Sequence, residues 1–186
     1  MGDFPILTER LALRPWTDAD HEAFAGMSRD VRVMRFINNG KPLTDEQIVT
    51  ALARRQEHQA EHGYCMWAVV DRELDEVVGV CGIQPLPGTD ETEIGWWLRP
   101  THWGRGLATE AATAARDFAF GPAGLARLVA IAHPDNTAST RVMEKLGLGF
   151  VRLTTLGELC ARTDERRDEP IVYYALERSP GTASPR

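Results

Sequence analysis

The stretch Glu93-Ile94-Gly95-Trp96-Trp97-Leu98-Arg99-Pro100-Thr101-His102-Trp103-Gly104-Arg105-Gly106-Leu107-Ala108-Thr109-Glu110-Ala111-Ala112 decides how this chain is read. It passes from a strand-like run, through a turn with two glycines, into a helix-forming segment. Ala108, Ala111, Ala112, Ala115, Phe118 and Ala119 recur at spacings of three and four, which predicts an amphipathic helix that Gly121 and Pro122 stop. A helix start offers unpaired backbone N–H groups and the positive end of the helix dipole, and glycines let an anion approach without a Cβ in the way. A phosphate or pyrophosphate suits such a turn.

Taken alone, the glycine pair has other readings. Gly104 and Gly106 serve equally as a tight turn before a helix. A Walker loop is excluded, because the chain has no Gly, four residues, Gly-Lys and Ser or Thr. A dinucleotide-binding turn is approximated by Gly104, Gly106 and Thr109, with Asp135 after the next strand as a ribose-binding acid. Its third glycine is missing and Asp135 lies too far along.

Upstream of the turn, Met66 to Val70 and Val77 to Ile83 read as a hairpin across the charged turn Asp71 to Glu76, and Glu91 to Leu98 adds a third strand. This antiparallel meander disfavours a doubly wound sheet. Earlier still, Leu11 and Leu13 alternate with polar neighbours in a first strand closed by Pro15. A helix capped by Thr17 or Asp18 follows, with Ala23, Phe24 and Met27 on one face. A second begins after Thr44 and ends at Gly63. Downstream, Leu128 to Ala132 is a continuous apolar run suited to a strand buried on both faces. A fourth helix spans about Asn136 to Leu146, and two strands, Phe150 to Leu153 and Ile171 to Leu176, close the order. The expected fold is an α/β, α+β-layered domain: a mixed, mostly antiparallel twisted sheet of about six to seven strands flanked by about four helices.

Composition sets the outer bounds. A chain of 186 residues, 43% hydrophobic and 26% charged, suits one domain over residues 1–178 with a flexible tail, 179–186. The net charge of −6 disfavours nucleic acid as a partner. Cys65, Cys81 and Cys160 are widely spaced, without a paired motif, and are expected as free thiols. The five histidines show no ligand spacing, so no metal is expected. The start Met1 to Leu7 lacks a signal-peptide pattern and no run reaches membrane-spanning length, giving a cytoplasmic expectation with no membrane partner.

Several runs together resemble one family. Thr8-Glu9-Arg10-Leu11-Ala12-Leu13-Arg14-Pro15-Trp16, Glu93 to Leu98, Trp103 to Ala111, Asn136-Thr137-Ala138-Ser139 and Glu144-Lys145-Leu146-Gly147 occur in the order seen in the RimJ/RimL-type branch of the GNAT superfamily of N-acetyltransferases. The resemblance covers roughly Thr8 to Leu176. It implies an enzyme that moves an acetyl group from acetyl-CoA to a primary amine, on a protein N-terminus or a small molecule, by direct attack in a ternary complex. The family's phosphate turn has Gln or Arg, two residues, Gly, one residue, then Gly or Ala. Trp103 departs from its first position, and Gly106 and Ala108 match the others.

By this resemblance, the segment Trp103, Gly104, Arg105, Gly106, Leu107, Ala108 and Thr109 holds the CoA pyrophosphate, through backbone N–H groups from about Gly104 onward, with Arg105 adding charge at the rim. Trp97, Leu98 and Arg99 line the pantetheine and thioester, an N–H near Leu98 facing the oxyanion. Asn136 contacts pantetheine and Ser139 sits near the sulfur. Each has a plainer alternative: Asn136 as a helix cap and Ser139 in that helix's first turn. Met143 stands where many relatives carry a tyrosine acid.

An amine attacks only as its free base, so a general base is expected. Glu93, which shares strand parity with Gly95 and Trp97, is the candidate; the alternative is a solvated strand carboxylate. The charged run Arg162 to Glu169 is either a solvated loop or, as in the family, a border of the acceptor site. Two rival functions stand beside acetyl transfer: a CoA-binding sensor module without turnover, and a dinucleotide-binding oxidoreductase. A homodimer is a reasonable prior for the assembly.

Overall fold

A computed structural model describes residues 4–178. The expected tail, 179–186, lies outside them. Eight strands form one sheet: β1 (Ile6–Leu7), β2 (Leu11–Arg14), β3 (Met66–Asp71), β4 (Glu76–Pro85), β5 (Thr92–Leu98), β6 (Arg127–Ala132), β7 (Gly149–Thr155) and β8 (Pro170–Glu177), in the order β1-β2-β3-β4-β5-β6-β8-β7. Every neighbouring pair is antiparallel except β5 and β6. A doubly wound parallel sheet, which the oxidoreductase reading needs, is therefore not this fold.

There is one strand more than the sequence predicts. β1 is two residues long, too short for an alternation pattern, and exists because Ile6 and Leu7 pair with Leu13 and Ala12. The helices are α1 (His21–Arg29), α2 (Val31–Met34), α3 (Asp45–His62), α4 (Leu107–Phe120), α5 (Thr137–Lys145) and α6 (Leu156–Cys160). Two of these, α2 and α6, exceed the expected four. Each is about one turn, stabilised by a local cap: Asp30 accepts from Arg32 N, and Thr155 from Glu158 N.

The longer helices follow their signals. Thr44 and Gln47 form a reciprocal capping box at the start of α3, and Gly63 ends it in the left-handed region at φ 74°. Thr17 caps a 3-10 turn, Asp18–Asp20, that leads into α1; Asp20 also pairs with Arg14 at 2.7 Å.

The two sheet faces are covered differently. Leu11, Leu13, Ile94 and Leu98 pack with Leu107, Ala111, Ala115 and Phe118 of α4 in the main core. The alanines allow close approach, and so does Gly79, whose added Cβ would sit 2.2 Å from Leu98 Cδ2. Phe118 meets Trp67 at 5.0 Å between ring centroids, and Phe4 joins the pair. On the other face lie α1 and α3, with Trp16 edge-on to Phe24. A smaller cluster, Leu86, Val129, Leu156, Cys160, Ile171 and Tyr173, seats α6 there beyond β5.

Candidate active site

The parallel pair is where the sheet opens. β5 and β6 are bridged at Glu93 opposite Val129 and at no other position. Arg99 N donates to Val78 O at 2.8 Å, which fixes the alternation along β5. Arg99 and Trp97 turn their backbone groups toward β4, and Leu98, Trp96 and Ile94 turn theirs toward the opening. Of the three residues expected along the pantetheine, Leu98 alone therefore presents backbone polar groups to the gap. Its carbonyl accepts from Trp103 Nε1 at 2.8 Å. Trp103, half-exposed and anomalous as a phosphate-turn side chain, thus ties the turn to the end of β5.

After a 3-10 turn, Pro100–His102, the chain enters the glycine turn. Gly104 and Gly106 have φ of 72° and 79°, and Gly106 is the N-cap of α4. Among the described residues no acceptor meets the N–H of Gly104, Arg105, Gly106, Leu107, Ala108 or Thr109, whereas Glu110 N already donates to Gly106 O. Nothing lies within 4 Å of a Cβ built on Gly104. These donors and the helix dipole face open space, with the exposed Arg105 beside them.

The turn is braced from the loop that joins β1 to β2. Glu110 accepts from Thr8 Oγ1 at 2.6 Å, from Arg10 N at 2.9 Å and from Arg10 Nε at 2.7 Å, and Arg10 Nη1 donates to Arg105 O at 3.1 Å. Burial would push the Glu110 carboxyl up, but these donors hold it below its ordinary value. Sequence reading missed this brace, because its partners are 100 residues apart. From Gly106 a groove of about 570 Å³ runs beside α4, lined by Thr8, Thr109, Thr113 and Lys145.

Glu93 lies on the face opposite α4. It is half-buried, and Gln84, directly across on β4, donates to its Oε2 at 3.1 Å. Burial pushes its pKa above the ordinary value, and the Gln84 amide opposes this only in part. Glu93 makes no hydrogen bond with Ser139 or Asn136, which stand at the start of α5. There Asn136 Oδ1 accepts from Ser139 N at 3.3 Å, so the cap is formed. Met143 is buried in the core. Tyr173 is not free either: its hydroxyl donates to Glu91 at 3.0 Å, within a cluster completed by Arg127.

A second cleft, of about 470 Å³, separates the segment after α2 from the charged run 162–169. Phe36, stacked on His133 at 5.6 Å, and Asn39, Lys41, Glu165 and Arg166 line it. Asn38, Asn39 and Gly40 all have positive φ, and Asn39 Nδ2 reaches Glu165 at 3.1 Å. The charged run therefore borders a cleft instead of standing free. The described residues contain no group of three metal-ligating side chains, and no helix long and apolar enough to cross a membrane. Cys65, Cys81 and Cys160 are buried free thiols.

Comparison with known proteins accords with this geometry. Residues 10–149 match the family model for the acetyltransferase (GNAT) domain. The uncharacterized N-acetyltransferase YnaD of Bacillus subtilis is 31% identical, over 92% of this chain and 95% of its own. An acetyltransferase structure from Agrobacterium tumefaciens superposes with a TM-score of 0.76 at 30% identity, covering 92% of this chain and 93% of its own. RimL, the ribosomal L7/L12 α-N-protein acetyltransferase solved with coenzyme A, shares the fold, with a TM-score of 0.75 at 16% identity over 91% and 95% of the two chains. With the family model spanning most of its length and an N-acetyltransferase relative along nearly all of it, the chain belongs to the GNAT acetyltransferase family.

Proposed function

We propose that the chain transfers an acetyl group from acetyl-CoA to a primary amine by direct attack in a ternary complex, residues 1–178 acting as one domain. The observation that carries this reading is the run of unpartnered N–H groups from Gly104 to Thr109, beside the unpaired edge of β5. Such a cradle fits a pyrophosphate, and the open edge fits the amides of an extended pantetheine arm. The bound cosubstrate supplies an activated acetyl thioester.

The chain's own groups do the rest. Backbone from Gly104 to Thr109 holds the pyrophosphate, with Arg105 adding positive charge. Leu98, between Trp97 and Arg99, offers its N–H to the thioester oxygen, while Asn136 and Ser139, at the start of α5, are assigned to the pantetheine and the thioester sulfur. Glu93 takes the amine proton, directly or through water. Burial that raises its pKa makes its carboxylate a stronger base than an exposed one, which is what a protonated amine requires. A thiolate, from a thiol of pKa about 8.5, leaves without an obligatory acid, so Ser139 has a minor role.

The acceptor is an amine of a small molecule or a protein N-terminus. Operation in the cytoplasm, as a monomer or homodimer, accords with this reading. Calorimetric titration with acetyl-CoA, CoA and NADH in parallel tests it. Binding of both CoA species without NADH is expected, followed by thiol release with an amine panel. Failure to bind CoA overturns the reading, and binding without turnover of any amine reduces the protein to a CoA-sensing module.

A further inference from the structure

We infer that Arg55 and Trp97 form an anion-recognising subsite on the Glu93 side of the sheet, selecting a small amine acceptor that also carries a carboxylate or phosphoryl group. This rests on the acetyltransferase reading above and adds the acceptor's chemical class.

Arg55 projects from α3 into the space between α1 and β5. Its guanidinium carbon lies 4.8 Å from the Phe24 ring centroid and 5.6 Å from that of Trp97. Nη1 donates to Ala51 O at 2.7 Å, and that is the one hydrogen bond the side chain makes among the described residues. Nε is buried without a partner, and so is the neighbouring Trp97 Nε1. Two buried donors with nothing to donate to, one of them on a cation, are costly to leave unmade.

The missing counter-charge is the stronger observation. Three other arginines that tie elements of the fold together have a carboxylate: Arg14 has Asp20, Arg10 has Glu110, and Arg127 has Glu91. Arg55 has none, and the titratable groups around it are Cys65, Arg54 and His58, none of them a carboxylate. Burial pushes the Cys65 thiol up to about 12, so it stays neutral. The ring faces of Phe24 and Trp97 offset part of the cost, but they accept no N–H in the guanidinium plane. Desolvation lowers the Arg55 pKa to about 10, which leaves it charged at neutral pH.

Position makes this an acceptor feature. Glu93, Gly95 and Trp97 share one strand face by alternation, and Arg55 stands over the last of them. Four residues of strand place the Trp97 Cα about 13 Å from that of Glu93, and both side chains can lean into the interval. Between them stand the small Gly95 and Gly82, opposite each other, with the Met66 thioether packed over Gly95 on the same face. An amine on this face, between Glu93 and the opening at Leu98, can therefore belong to a molecule whose anionic end meets Arg55 and Trp97. A second cation, as in a polyamine, would meet Arg55 unfavourably.

The test uses the full chain loaded with saturating CoA, so that the α4 turn is occupied, titrated calorimetrically with succinate and separately with inorganic phosphate. At least one should bind, and Arg55→Gln should weaken it roughly 10- to 100-fold, the range for losing charge-assisted hydrogen bonds. Trp97→Phe, which keeps a ring, should weaken it a few-fold, and Arg55→Lys should retain part of it. If Arg55→Gln does not fold, those two variants carry the test. Binding of succinate alone assigns the carboxylate, and of phosphate alone the phosphoryl group. In initial rates, 4-aminobutyrate should exceed n-butylamine, or phosphoethanolamine exceed ethanolamine, with the preference erased by Arg55→Gln. No anion binding, or binding indifferent to all three variants, overturns the inference. Failure to load CoA overturns the acetyltransferase reading instead, and the anion titrations on unloaded protein still report on Arg55.

Discussion

At the start of α4 the unpartnered groups are backbone N–H donors, whereas across the sheet, on the Glu93 face of β5, they belong to side chains, the Trp97 and Arg55 donors, with the Glu93 carboxylate on the same face. A backbone site depends on conformation, so it accepts a changed side chain as long as the turn keeps its shape. Trp103 illustrates this: it departs from the family's Gln or Arg and still fastens the turn through Leu98 O. A side-chain site has no such tolerance, because each position supplies a particular charge or proton acceptor. Shared chemistry can thus reside in the turn, and individual specificity in the opposite face.

That contrast can be broken from either side. The largest effect is expected on the side-chain face, where Glu93→Gln should lower kcat by roughly 10²- to 10⁴-fold with CoA affinity unchanged, as for loss of a general base. Because burial raises the Glu93 pKa, the acid limb of the wild-type rate profile should lie above the ordinary carboxylate range and vanish in the variant. The same shift has a stability consequence of opposite sign. A raised carboxyl pKa means that stability is lost as pH rises through it, so Glu93→Gln should melt higher than wild type at pH 8 and not at pH 4. A lower melting temperature at pH 8 would contradict the assigned cost of burial.

On the backbone side, Gly106→Val should weaken CoA binding about 100-fold, since a β-branched residue cannot hold φ 79° and the N–H cradle together. The calorimetric Kd checks this, and an unchanged value would refute a backbone-made site. Glu110→Ala should destabilise the fold by about 2 kcal/mol, a melting-temperature loss of several degrees, by stranding Thr8 and Arg10. Its carboxyl is held low in the fold, so its contribution should be full above the ordinary carboxylate value and be lost as pH falls through the depressed one. Smallest of all, Ser139→Ala should change kcat less than about tenfold, because the thiolate leaves unaided.

The same contrast governs what could be read from the sequence. The meander, the glycine turn and α4 were legible because each is local: alternation, glycine spacing and a three-to-four repeat lie within one window. The family match over residues 10–149 accords with that reading. β1, α2 and α6 escaped because elements of two to five residues take their shape from partners and caps rather than periodicity. The Glu110 brace and the Arg55 stack escaped for a different reason. Their partners are far apart in sequence, and no spacing rule joins Thr8 to Glu110 or Arg55 to Trp97. Gln84 opposite Glu93 lay between: once the hairpin register is known, the pairing follows.

The single bridge between β5 and β6 has a mechanical consequence. Strands β1 to β5 form one leaf of the sheet and β6, β8 and β7 the other, joined along their backbones at Glu93 opposite Val129 alone. When two leaves swing about a common hinge pin, any point travels in proportion to its distance from the pin. Leu98 and the glycine turn lie farthest along β5 from that bridge, where the arm of such a lever would be longest, and Glu93 lies at its fulcrum. Any widening of the opening would therefore shift its walls most at Leu98 and least at the carboxylate, which stays in register with both leaves.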